Sequence, residues 1–247
     1  MKKTKKLFYQ DPFLSECEAI ITDVKNNGII CNQTIAFPES GGQEGDTGSL
    51  IVEGHDVPFI DTQKGVGRII YLDDFPTISV DNLICHVISE EHLKHFKVGM
   101  TIKIKINIDR RIKLTINHSG IHLVLMAIEK LYPEMSNNIK GAHIKYEHAR
   151  LDFVKKRTFS QSDLEFIKNF VDDIIKRDES IMVYPHPKEP EALYWKCQDK
   201  IYPCGGTHIT SASYIGPIKV KRKGMGKKLE RVIASFPDGN LPLETYH

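Results

Sequence analysis

Up to about residue 108 the chain sets apolar against polar side chains in short runs, a pattern that predicts β structure. The runs are Cys17–Val24, Gly28–Phe37, Gly48–Val52, Val57–Thr62, Gly67–Leu72 and Met100–Ile108. Turn signals part them: Asn26-Asn27-Gly28, Gly41-Gly42-Gln43, Glu44-Gly45-Asp46 and Gly65-Val66-Gly67. From Thr101 to Ile108 isoleucine falls at every second position, the signature of a strand with one buried face. Many short strands joined at glycines predict a small barrel.

The period changes at Asp109, which can cap a helix running through Ile116, His118, Ile121, His122, Leu125 and Ile128 to Tyr132-Pro133. Ser160 opens a second helix with Leu164, Ile167, Phe170, Val171 and Ile174 at helical spacing. Strand-like runs return after Pro185, among them Ala192–Gln198 and Ile215–Val220. The predicted class is α+β: a small N-terminal β-barrel over residues 1–108, then an α+β domain over 109–247.

Composition narrows the setting. Forty per cent hydrophobic and 27% charged residues are ordinary for globular domains, and 34 basic against 32 acidic residues leave a net charge of only +2. No apolar run is long enough to span a membrane, and Asp11, Glu16 and Glu18 interrupt any signal-peptide core. Five cysteines at irregular spacing (17, 31, 85, 197 and 204) fit a reducing cytosol better than a disulfide framework. A cytoplasmic protein is expected. Lys2-Lys3-Thr4-Lys5-Lys6 reads as a solvated arm, with nucleic-acid contact as the alternative.

Two strings carry chemistry: His118-Ser-Gly-Ile-His122 and Cys204-Gly-Gly-Thr-His208. On a helix, i and i+4 share a face, so both imidazoles of the first can reach one ion. Gly205 and Gly206 let the second fold tightly enough to aim a thiolate and an imidazole at one point. Three nitrogens and a sulfur are ligands that zinc prefers. A histidine pair at this spacing arises by chance in roughly half of chains so rich in histidine. The plainer alternatives are a half-exposed His118 beside a satisfied core His122, and a simple turn at Gly205-Gly206.

Read with their surroundings, these strings resemble the free-standing alanyl-tRNA editing proteins (the AlaX family, medium-length type), relatives of the editing domain of alanyl-tRNA synthetase. Phe37-Pro-Glu-Ser-Gly-Gly-Gln-Glu-Gly-Asp-Thr-Gly48 is similar to that family's glycine-rich segment, and Asp109-Arg110-Arg111 to the start of its two-histidine helix. Gly141-Ala142-His143, Arg150-Leu151-Asp152-Phe153 and Cys204–His208 match its further signatures. The resemblance implies a zinc-binding editing domain that hydrolyses, in trans, the ester between tRNA(Ala) and a wrong amino acid, chiefly serine, with glycine as a further candidate. Such a second site makes sense, because a pocket built for alanine rejects an added hydroxyl poorly. Zinc suits the task by polarising a carbonyl or lowering the pKa of bound water.

The expected ligands are His118, His122, Cys204 and His208, three held tightly and the fourth yielding to water or substrate. Gln43, Asn138, Thr207, Gly205 and Gly206 are the expected substrate contacts. Relatives tend to carry a polar side chain before the glycine of Gly141-Ala142; here that position falls on Asn138 or is lost to Ile139. Lys219 to Arg231 holds seven basic residues against one acid, and tRNA contacts are expected from Lys221, Arg222, Lys223, Lys227 and Lys228 together with Arg110 and Arg111. Two arginines at a helix start also call for a partner anion or carboxylate. The rival readings are an editing module for threonyl-tRNA and a non-catalytic tRNA-binding module stabilised by zinc. Oligomeric state is not legible.

Overall fold

A computed structural model describes residues 3–154, 158–226 and 228–246, which fall into two compact units, Met1–Ser40 with Glu44–Arg111 and Gly41–Gln43 with Ile112–His247. In the first unit, β1 (Lys5–Lys6), β2 (Glu16–Lys25), β3 (Gly28–Cys31), β4 (Gln33–Thr34), β5 (Gly48–Val52), β6 (His55–Lys64), β7 (Arg68–Leu72), β8 (Phe75–Val80), β9 (Ile84–Ile88) and β10 (Thr101–Ile106) follow one another. Six of them close a barrel in the order β10-β2-β3-β9-β6-β5. The alternation read in β10 places Ile102, Ile104 and Ile106 inside, where they meet Ile21, Ile29, Leu50 and Phe59. The barrel and the α+β class expected from the sequence are what the fold contains.

Several expectations in this unit need correction. The run Gly28–Phe37 is not one strand: it breaks at Asn32, and β4 pairs in parallel with β1. The lysine arm is therefore not wholly solvated. Thr4 is buried, its Oγ1 donating to the Cys31 carbonyl and accepting from the Ile84 amide, and Lys6 is buried as well; Lys2 lies outside the described residues. Strands β8 and β9 escaped the pattern. In β9 the inward positions are Ile84, His86 and Ile88, so an imidazole sits where the pattern seeks an apolar side chain.

His86 is fully buried, with Nε2 2.8 Å from Thr34 Oγ1 and Nδ1 3.0 Å from the Ile29 carbonyl. Burial lowers its pKa to about 4. Arg111, expected at tRNA, is likewise a core residue. It is fully buried with Asp46 and also donates to the carbonyls of Ile35 and Pro12. Arg110 pairs with Glu44 at 2.9 Å, so both arginines find the carboxylates their position called for.

Helix α1 (Ile108–Leu131) is capped by Asn107 rather than Asp109: Asn107 Oδ1 accepts from the Arg110 amide at 3.0 Å. From Ile112 on, α1 belongs to the second unit and is buried on nearly every side. There follow β11 (Ile139–Ile144), β12 (Ala149–Val154), α2 (Gln161–Lys176), β13 (Ile181–His186), β14 (Glu189–Cys197), β15 (Lys200–Pro203), β16 (Lys219–Met225), β17 (Leu229–Ser235) and the short α3 (Leu243–Tyr246). One sheet has the order β11-β12-β17-β16, another β13-β14-β15. Ser160 caps α2 in a reciprocal box with Asp163, and Leu164, Ile167, Val171 and Ile174 form its buried stripe. The expected strand Ile215–Val220 is displaced. Gly216 turns the chain at φ +69° and Pro217 lacks an amide, so the strand begins at Lys219. Among the described residues no helix is long and apolar enough to cross a membrane.

Candidate metal centre

Helix α1 presents Thr115, His118, Ser119 and His122 on one face, the spacing of successive turns. The loop after β15 brings Cys204 and His208 to that face. Cys204 Sγ lies 3.3 Å from His118 Nε2 and 3.2 Å from His208 Nε2, and one ligand atom from each of the four residues falls within 4.8 Å of the others. A tetrahedron with zinc-type bond lengths has edges of about 3.3–3.6 Å. The two short separations come within about 0.4 Å of the sulfur–nitrogen edge.

The donor set fits a cation on a further ground. His122 Nε2 is buried and has no hydrogen-bond partner among the described residues. Leaving such a nitrogen unmatched costs about 1–3 kcal/mol, a cost that a coordinated ion would remove. Burial holds the His118 and His208 imidazoles well below their usual range, lowers His122 to about 3 and raises the Cys204 thiol to about 11. All four groups are thus neutral at pH 7. A divalent cation held by these four residues would displace the thiol proton, and the Gly206 amide, hydrogen-bonded to the sulfur, already favours the thiolate.

Behind the ligands stands a layer of orienting contacts. Gly41 and Gly42 adopt φ +60° and +87°, and a side chain at Gly42 would strike the Ala142 carbonyl. This geometry lets the segment run beside β11: the Ile144 amide donates to the Gly42 carbonyl at 2.7 Å, and Gln43 bridges Ile144 in parallel. Gln43 is then fully buried. Its Oε1 accepts from the Thr207 amide at 3.1 Å and from His118 Nδ1 at 2.7 Å, while its Nε2 donates to Thr207 Oγ1 at 2.9 Å. A carbonyl oxygen only accepts, so His118 carries its proton on Nδ1 and turns a bare Nε2 toward Cys204. Ser119 Oγ lies 3.2 Å from His208 Nδ1 and accepts from the Ile209 amide at 3.2 Å, which orients the second ring; a hydroxyl both donates and accepts, so this contact does not set the tautomer.

Gly206 closes this layer, because a Cβ there would fall against the His118 ring. Thr207 Oγ1 also meets Thr115 Oγ1 at 2.7 Å. Sequence reading missed Thr115, and nothing in the string marks it. The other wall is aromatic. His122 lies between His118, at 5.2 Å between ring centroids, and Trp195, at 4.8 Å. Tyr202 stacks beside them and donates to Glu129 at 2.8 Å. Of the other expected site residues, Gly205 is exposed, while Asn138 Nδ2 donates to the Glu134 carbonyl. Lys221, Lys223 and Lys228 are exposed, Arg222 pairs with the buried Glu230, and Lys227 lies outside the described residues.

Comparison with known proteins agrees with this region. The family model described as "Threonyl and Alanyl tRNA synthetase second additional domain" matches residues 195–233, which include Trp195, Cys204 and His208. The alanyl-tRNA editing protein AlaX-M of Pyrococcus horikoshii is 28% identical over 93% of this chain and 96% of its own. The chain is similar to the alanyl-tRNA editing proteins along nearly its whole length. The alanine–tRNA ligases of Pyrococcus abyssi and Saccharolobus islandicus match at 29% and 30% identity over 94% and 89% of the chain. The chain spans about a quarter of the length of those ligases, 26% and 25%. The resemblance carried by the glycine-rich segment and the two ligand strings therefore extends through the residues between them.

Proposed function

We propose that the chain is a zinc-dependent hydrolase that deacylates mischarged tRNA(Ala) in trans, with Ser-tRNA(Ala) as its main substrate and Gly-tRNA(Ala) as a further one. The observation that carries this reading is a His118–His122–Cys204–His208 cluster, with His118 and His208 buried and the other two half-buried, whose His122 Nε2 has no partner among the described residues, in a chain similar to AlaX-M nearly end to end. His118, His122, Cys204 and His208 would hold the ion. When bound, zinc would supply a Lewis acid next to the ester carbonyl.

The residues of the chain do the rest. Gln43 fixes the tautomer of His118 and, through both ends of its amide, ties the Cys204–His208 loop to α1. Its amide oxygen is spent on these contacts, and Thr207 Oγ1 already has Gln43 and Thr115 as partners. Both residues therefore position the ligands rather than read the amino acid. Gly205, exposed beside the ligands, leaves room for the aminoacyl ester, and the wall of Trp195 and Tyr202 keeps water from the His122 side. Lys221, Arg222, Lys223 and Lys228 are the exposed members of the expected cation set, Arg222 being paired with Glu230, and Arg110 is half-buried and paired with Glu44.

Four protein ligands would leave no open position, which favours the alternative of a structural ion in a non-catalytic tRNA-binding module. The family description naming both threonyl and alanyl enzymes keeps the threonyl-tRNA module as the other rival. One assay separates them: hydrolysis of Ser-, Gly- and Ala-tRNA(Ala) and of Ser-tRNA(Thr), with and without chelator, on protein whose metal content is known. Chelator-sensitive cleavage of Ser-tRNA(Ala) with Ala-tRNA(Ala) spared is the expected result. Binding without turnover would overturn the hydrolase, and preference for Ser-tRNA(Thr) would overturn the substrate.

A further inference from the structure

In sequence, Lys219 to Lys223 is an undifferentiated basic run; strand register sorts it onto two faces. Side chains alternate along a strand, and paired residues on neighbouring strands share a face. Val220, Arg222 and Gly224 pair with Ala234, Val232 and Glu230, and that face continues into Ala149, Leu151 and Phe153, all buried. On it, Arg222 is neutralised by Glu230, whose side chain has no exposure.

The opposite face carries most of the charge of these strands. Lys219, Lys221 and Lys223 are all exposed and stand at alternate positions of β16, about 7 Å apart. They pair with Ser235, Ile233 and Arg231, and the next strand adds Arg150 and Asp152. Asp152 accepts from Arg231 Nε at 2.6 Å and Nη2 at 2.9 Å and from Arg150 Nη1. One carboxylate thus fixes two guanidiniums without matching their charge. Their remaining N–H groups stay available, in the planar geometry that suits phosphate oxygens. Gly141 faces Asp152 from β11, and a Cβ there would meet nothing closer than Asp152 Oδ2 at 3.9 Å, so the glycine leaves that flank of the pair open. Among the described residues these three strands give the face five permanent cations and one anion. It ends at β11, the strand against which Gln43 is bridged.

We propose that this outward sheet face, from Lys219–Lys223 through Arg231 and Arg150, is where the chain receives the sugar-phosphate backbone of its tRNA; the inference rests on the function proposed above. A row of lysines with a pre-set arginine pair complements a polyanion, and no base-reading group is needed for that contact. Arg222, adjacent in sequence, takes no part.

The test is tRNA(Ala) binding by the intact protein, titrated with salt, for wild type, Lys221→Ala/Lys223→Ala and, as an off-face control, the exposed Lys97→Ala. The slope of log affinity against log salt should fall by about two in the double variant, one for each phosphate no longer neutralised, and stay unchanged in the control. In deacylation the double variant should raise KM and leave kcat near wild type. A double variant that binds with wild-type slope and affinity overturns the surface, whether or not the wild type hydrolyses Ser-tRNA(Ala). A lowered slope in a protein that hydrolyses nothing upholds the surface and overturns the hydrolase. Failure of the wild type to bind tRNA at low salt overturns both.

Discussion

His86 in the barrel and His122 in the second unit both withdraw ring nitrogens from water, yet their surroundings differ in kind. Each nitrogen of His86 meets an oxygen, Thr34 Oγ1 on one side and the Ile29 carbonyl on the other. Arg111, in the same unit's core, is matched in the same way by Asp46 and two backbone carbonyls. These are polar groups that satisfy one another and tie together the segments that carry them. The cluster around His122 has two orienting contacts on its periphery and an unmatched nitrogen at its centre. Burial alone is therefore a poor guide to function. What separates the two regions is whether the partners already present complete the hydrogen bonding.

The largest expected effect comes from breaking a completed set. Arg111→Met strands Asp46 in the core and should cost about 3–5 kcal/mol of stability in urea denaturation. Its effect on metal binding by the folded fraction should be small; a selective loss of metal would erase the distinction between the regions. Next comes the orienting layer. Gln43→Leu should weaken binding of Co2+ or Zn2+ by about 10–100-fold in competition with a chromophoric chelator. Gln43→Glu keeps an acceptor for His118 Nδ1 and should recover most of that affinity. Equal weakening in both variants would mean that Gln43 acts only as filler.

An effect of about the same size is a pH dependence in the barrel. His86 has its pKa lowered by burial to about 4 against an ordinary 6.5, so the unfolded chain binds the extra proton first as pH falls. The contribution is complete above pH 6.5 and is lost progressively toward pH 4. Between pH 7 and pH 5 it should amount to about 2 kcal/mol, seen as the difference between wild type and His86→Gln in urea midpoints. Equal pH slopes for the two proteins would place the titrating group elsewhere.

Much of this was legible because local physics and final environment agree. Ser160 announces α2, isoleucines at every second position announce β10, and His118 and His122 sit on a helix whose period brings both to one side, while two glycines let the Cys204–His208 loop fold back on them. Where the readings failed, distant residues decided. Nothing near Arg111 shows that Asp46 will meet it in a dry core, so it reads as a surface cation. Thr4 and Lys6 look solvated until β4 and Ile84 take them in. Within the basic run, only pairing with β17 tells Arg222 from its lysine neighbours. Gln43 was visible as part of a turn, but its amide contacts depend on Thr207, 164 positions away.

The placement of Gly41–Gln43 bears on any attempt to shorten the protein. These three residues are encoded inside the barrel's stretch of sequence but cluster with the second unit. A fragment begun at residue 109 would keep His118, His122, Cys204 and His208 and still lose the amide that sets the first imidazole's proton. Such a shortened chain would need that glutamine supplied anew, by grafting the tripeptide alongside β11 or adding it as a separate peptide.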